Sequence, residues 1–149
     1  MIEYSDYMIP QLSIFIENRL ASLSELARRL ADENINLRGF SLAESREFGT
    51  VRIIVSDVEA CKDALNTAGY HYVETPVLAV EVPDRPGGMA NVLEYLACSH
   101  INLDYAYAMT EKHGLSAVII LRVDDLKKAV MVLKKTNVRL LSRKDITLI

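Results

Sequence analysis

The chain is written twice. Displaced by 66 positions, Leu12, Ile14 and Ile16 fall on Leu78, Val80 and Val82, each trio alternating as a strand with one face on a core does. Leu23, Leu26, Ala27, Leu30 and Ala31 fall on Met89, Val92, Leu93, Leu96 and Ala97, the spacing of the buried stripe of an amphipathic helix. Asn34-Ile35-Asn36-Leu37 falls on His100-Ile101-Asn102-Leu103, so each helix ends in a polar turn that leads into a second strand. Further on the displacement grows to 68: Val58, Cys61 and Leu65 match Leu126, Ala129 and Leu133. Asp57 and Asp125 precede these second helices as N-caps, and Gly49 and Gly114 sit in matching turns before β-branched runs.

Each half therefore reads strand, helix, strand, turn, strand, helix, strand. The expected fold class is α+β, with two ferredoxin-like βαββαβ units in tandem. Right-handed crossovers put both helices of a unit on one face of an antiparallel sheet. The expected domains are residues 1–75 and 76–149. No Gly/Ser linker divides them, and His71 to Val82 reads as one unit's last strand running almost directly into the next unit's first. Tyr4 and Tyr7 precede the first unit, placed either to pack under it or to help a second chain dock. Uncovered sheet edges make a homodimer the expected assembly.

Composition narrows the function. Of 149 residues 50% are hydrophobic and 25% charged, enough for one ordinary domain or two small ones and too well mixed for disorder. A net charge of −3 with no clustered basic face argues against nucleic acid. No apolar stretch is long enough to span a membrane, and a start carrying Glu3 and Asp6 does not read as a signal peptide. Cys61 and Cys98 lie in helical patterns and read as buried free thiols of a reducing cytoplasm. With no CxxC and no spaced His/Cys cluster, neither metal nor cofactor is expected. His71, His100 and His113 are scattered over a strand, a helix end and a turn, and no catalytic triad or acid/base pair is supported, so no enzyme is expected.

The chemistry lies between first strand and first helix. In the second copy this stretch is Val82-Pro83-Asp84-Arg85-Pro86-Gly87-Gly88-Met89-Ala90. A helix start carries unpaired N–H groups and partial positive charge, which suit a carboxylate. Gly87 and Gly88 bear no side chain and leave their backbone amides open to a guest, Pro86 sets the chain's approach, and Asp84 offers an acceptor for an ammonium. Together they suit an α-amino acid. A tight turn capped by Asp84 accounts for the same residues. The loop lacks both G-x-G-x-x-G and G-x-x-x-x-G-K-[ST], which leaves nucleotide binding little support.

A strand ending in Asp84-Arg85-Pro86-Gly87-Gly88, then a helix, then a strand opening Ile101-Asn102-Leu103, set in a duplicated βαββαβ pattern, resembles the ACT domain family. The resemblance spans nearly the whole chain and is narrowest to free-standing tandem-ACT proteins. It implies a regulatory protein that holds an amino acid between paired domains and signals to a separate metabolic enzyme or regulator. It also implies the contacts: the first loop of one domain and the second strand of its partner. The expected sites set Asp84, Arg85, Pro86, Gly87, Gly88 and Met89 against Gly39, Phe40, Ser41 and Leu42, and set Asn18, Arg19, Ala21, Ser22 and Leu23 against Tyr105 and Tyr107. The tyrosines serve equally as sheet-packing residues. The first copy departs from the motif, with Leu20, Ala21 and Ser22 where the second has Pro86, Gly87 and Gly88, and Ser22 or Ser24 is placed to cap its helix. The competing reading is a ligand-free module used only for assembly.

Overall fold

A computed structural model of the chain describes residues 3–45, 47–113 and 116–148. The turn expected at Gly114 lies outside them; His113, expected in that turn, is the last residue of a strand. Contacts divide the chain into two compact units, one of Pro10–Thr75 and one of Pro76–Ile149 together with the N-terminal residues up to Ile9. The N-terminal segment thus groups with the second half, away from the 1–75 division expected. Its short 3-10 turn, Tyr4–Tyr7, shows why: both tyrosines pack against the second unit's core, and the Tyr7 ring lies 4.0 Å below the Lys134 ammonium.

The first unit contains β1 (Ile9–Glu17), α1 (Ser22–Asp32), β2 (Leu37–Glu44), β3 (Phe48–Val55), α2 (Val58–Ala68) and the start of β4 (His71–Pro83). β3 pairs antiparallel with β1 on one side and β2 on the other. Leu12, Ile14 and Ile16 of β1, Val51, Ile53 and Val55 of β3, Leu26 and Leu30 of α1, and Cys61 and Leu65 of α2 form one buried cluster, so both helices lie on the same sheet face. Asp57 caps α2 by accepting from the Ala60 amide at 3.0 Å, and Gly69 ends it in the left-handed region.

The second unit takes the rest of β4, then α3 (Gly88–Cys98), β5 (Leu103–His113), β6 (Ser116–Val123), α4 (Leu126–Lys134), β7 (Arg139–Leu141) and α5 (Arg143–Leu148). Its antiparallel strands lie in the order β5, β6, β4, β7. Leu78, Val80 and Val82 meet Val92 and Leu96 of α3 and Ala129, Val130 and Leu133 of α4 in its core. Asp125 caps α4 through the Lys128 amide at 3.1 Å. Helix α5 has no counterpart in the repeat. Asp145 caps it from within, accepting from the Ser142 amide at 2.8 Å and hydroxyl at 3.0 Å, and these bonds hold its carboxyl below the usual range. Cys61 is buried, and desolvation, helped by the charge of Asp57, pushes its thiol up to about 11. Cys98 is exposed, against expectation, because it lies beyond the buried Val92 and Leu96 stripe on the outer side of α3.

Candidate functional site

The two first-strand-to-first-helix loops differ in sequence but share a left-handed residue before the helix and three backbone hydrogen bonds. Ala21 precedes α1 with φ 67°, and Gly87 precedes α3 with φ 89°, both in the left-handed region. Three hydrogen bonds recur at the 66-residue displacement. Arg19 and Arg85 donate their amides to Glu17 and Pro83, Ser22 and Gly88 to Arg19 and Arg85, and Glu25 and Asn91 to Ala21 and Gly87. No side chain caps either helix. The expected serine caps do not form. The Ser24 hydroxyl instead donates to the Ala21 carbonyl at 3.0 Å.

The second loop corrects one assumption about its glycines. The Gly88 amide already donates to Arg85, and a Cβ at Gly88 would run into the Pro83 carbonyl oxygen. Gly88 is bare because its own loop closes on it. Gly87 is different: a Cβ there would meet nothing within 4 Å, so its requirement is the positive φ alone. Asp84, Arg85, Pro86 and Gly87 are exposed, while Met89 turns under the helix against the core.

In the first unit, α1 and its loop stand over a cavity of about 580 Å³. Its floor is Leu26, Leu30, Val51 and Ile53, one side is Leu37 and Phe40, and the mouth is Arg19, Leu20, Ala21, Ser22, Leu23, Ser24 and Ala27. A β-bulge explains how Leu37 and Phe40 reach it together. Leu37 pairs with Val55 and Gly39 with Ile54, so one extra residue enters β2 and side-chain parity shifts. Phe40 then pairs with Ile53 and Leu42 with Val51, on the helix-facing side, while Gly39 and Ser41 go to the opposite face. The four residues read in sequence as one wall thus divide between two faces.

The same bulge recurs between Leu103 and Tyr105. It sends Ala106 and Ala108 to the helix side, opposite Leu121 and Ile119, and Tyr105 and Tyr107 to the other side, opposite Arg122 and Ile120. The two tyrosine rings stack with centroids 6.5 Å apart. They share a strand face, as their spacing requires, and that face is not the one under α3.

At the mouth of the cavity, the Arg19 guanidinium pairs with Glu25 at 2.8 Å and Glu17 at 3.1 Å. Its hydrogen bonds hold the Glu25 carboxyl below the usual range. Asn18 turns away and donates to the Ser45 carbonyl at 3.2 Å, tying the loop to the following hairpin. Of the expected first-copy residues, then, Arg19, Ala21, Ser22, Leu23 and Phe40 meet at one cavity, and Asn18, Gly39, Ser41 and Leu42 do not line it. The residues that sequence reasoning missed are Leu20, Ser24, Leu26, Ala27, Leu30, Leu37, Val51 and Ile53. Their apolar periodicity marks a core, and periodicity is the same whether a core is filled or hollow. Among the described residues no His/Cys/Asp/Glu group could hold a metal, and no helix is long and apolar enough to cross a membrane.

A model of the ACT domain pair matches residues 7–149. The chain belongs to the ACT domain pair family. ACT domains are generally ligand-binding regulatory modules, and membership makes this chain a regulatory protein. Among solved structures the ACT pair is similar to protein BT0572 from Bacteroides thetaiotaomicron, with 34% identity, a TM-score of 0.89, and 96% of this chain and 98% of that one covered. It also shares its fold with the ligand-free regulatory subunit of aspartate kinase from Thermus thermophilus, at 12% identity and a TM-score of 0.64, covering 89% and 94%. The corresponding subunit from Thermus flavus gives 13% and 0.56, covering 87% and 93%. No curated protein matches the chain.

Proposed function

We propose that this ACT pair binds a free amino acid at its helix-start loops and reports occupancy to a separate enzyme or regulator. The observation that carries the reading is the left-handed residue retained before both α1 and α3. At Ala21 that conformation costs about 1 kcal/mol, and strain held at a helix start marks a site where geometry matters more than stability. The Ser22 and Gly88 amides are spent inside the loops, and the remaining N–H groups and the partial positive charge of each helix start suit an α-carboxylate. Carboxylates stand nearby for the ammonium: Asp84 in one loop, Glu17 and Glu25 in the other. The Thermus thermophilus neighbour is itself a regulatory subunit, in keeping with a chain that acts on an enzyme carried elsewhere.

A thermal-shift series with each of the twenty amino acids at millimolar concentration tests this. A ligand at 100 times its Kd adds about 2.7 kcal/mol of stability. The assembly reading draws on Phe15 and Phe48, large apolar side chains left exposed on β1 and β3. A series in which no amino acid moves the transition, together with a dimer lost on replacing both phenylalanines by serine, establishes assembly and ends the sensor reading.

A further inference from the structure

We infer that the cavity of the first unit is a specificity pocket for a small carboxylate with a bulky apolar tail, a leucine- or phenylalanine-like molecule; this rests on the amino-acid reading above and names its class. The pocket is already bounded below by a closed core, since Leu30, Val51 and Ile53 are buried. The space of about 580 Å³ above them is therefore not a packing fault between floor residues but a recess that opens past Ala27. Its size lies within the roughly 300–1,000 Å³ of small-molecule sites. Its walls are carbon, which favours an apolar guest and penalises a polar tail that would lose its water. One charged side chain, Arg19, lines it, and with Glu25 and Glu17 paired to that guanidinium the rim carries both signs of charge, as the zwitterion of an amino acid requires.

Leu20 completes the argument. At 95% exposure it is a bare apolar side chain at the rim, in the position that Pro86 holds in the second copy. An apolar guest in the recess gives Leu20 a surface to cover. The second unit has a different lining at the same places: Leu93 stands for Ala27, and Ala106 for Phe40. The side chains that line the recess thus differ between the two units at these places.

Isothermal titration of the full chain with L-leucine, L-phenylalanine, L-serine, L-aspartate and 4-methylpentanoate tests the pocket, alongside Ala27→Leu and Leu20→Ser. Ala27 is exposed on a helix that leucine also favours, and circular dichroism checks that the fold is kept. The expected result is binding of leucine or phenylalanine, at least tenfold weaker in Ala27→Leu and about fivefold to tenfold weaker in Leu20→Ser, where no core contact is at stake. If serine or aspartate binds and neither variant weakens it, the pocket falls and the amino-acid reading stands. If only 4-methylpentanoate binds, and Ala27→Leu abolishes it, the pocket stands and the amino-acid reading falls. If no probe binds, both fall.

Discussion

The loop Asn18–Leu23 and the loop Asp84–Met89 have different residues and share three backbone hydrogen bonds. The second uses proline and two glycines, residues that take this path at little cost. The first follows it with leucine, alanine and serine, and accepts a left-handed alanine to do so. The bulge in the following strand is likewise shared, yet it turns phenylalanine and leucine toward the helix in one unit and two alanines in the other. Backbone has thus outlasted sequence at two linked places, and the side chains hung on it have diverged. The framework is common property, while what each unit can hold is decided by a few substitutions.

The largest expected contrast lies in the helices beneath the loops. Leu30 and Leu96 are equivalent and both buried, and Leu30 lines the recess. Leu96→Ala should cost about 3–4 kcal/mol, and Leu30→Ala about 2 kcal/mol because the space it leaves joins the recess instead of making a new enclosed void. Urea unfolding monitored by circular dichroism measures both. Equal losses would show that the two helices are equally well packed, and the difference between the units would vanish.

Next comes the loop closure itself. Gly88→Ala drives a Cβ against the Pro83 carbonyl oxygen, a backbone atom that cannot swing aside. The loop must move, at a cost of about 2–3 kcal/mol. Ser22 occupies the equivalent place and already carries a side chain, so Ser22→Ala should change stability by less than about 1 kcal/mol. A neutral Gly88→Ala would return that glycine to the role first assigned to it, access for a guest.

Much of this was legible in the sequence. Two displacements, 66 and 68, locate the matching strands and helices, and the Asp57 and Asp125 caps follow from residue type and position. The helix stripe was legible only in part: Leu26, Leu30, Val92 and Leu96 are buried, but Ala27, Ala31, Leu93 and Ala97 are exposed. The site was harder because its decisive features leave no periodic mark. One inserted residue at a bulge reverses which of Gly39, Phe40, Ser41 and Leu42 face the helix, and alternation read along the strand cannot reveal the reversal. The close approach of Pro83 to Gly88 depends on a loop path that a Pro-Gly-Gly run permits but does not specify. Tyr4 and Tyr7 carry no hint that their partner lies in the far half of the chain.

The smallest expected effect is the sharpest test of the shared backbone. Ala21 and Gly87 hold the same left-handed conformation, and at Gly87 an added Cβ meets no atom, so exchange of the two residue types isolates backbone strain from packing. Ala21→Gly relieves about 1 kcal/mol of strain and gives back part of it through a looser unfolded chain, for a net gain of about 0.5 kcal/mol. Gly87→Ala should run the other way, losing about 0.5–1 kcal/mol. Both should leave far-ultraviolet circular dichroism unchanged, and the double exchange should come out near zero if the loops act independently. A destabilised Ala21→Gly would mean that the alanine methyl makes contacts worth more than the strain it imposes, and the two loops would then be alike in path but not in what holds them there.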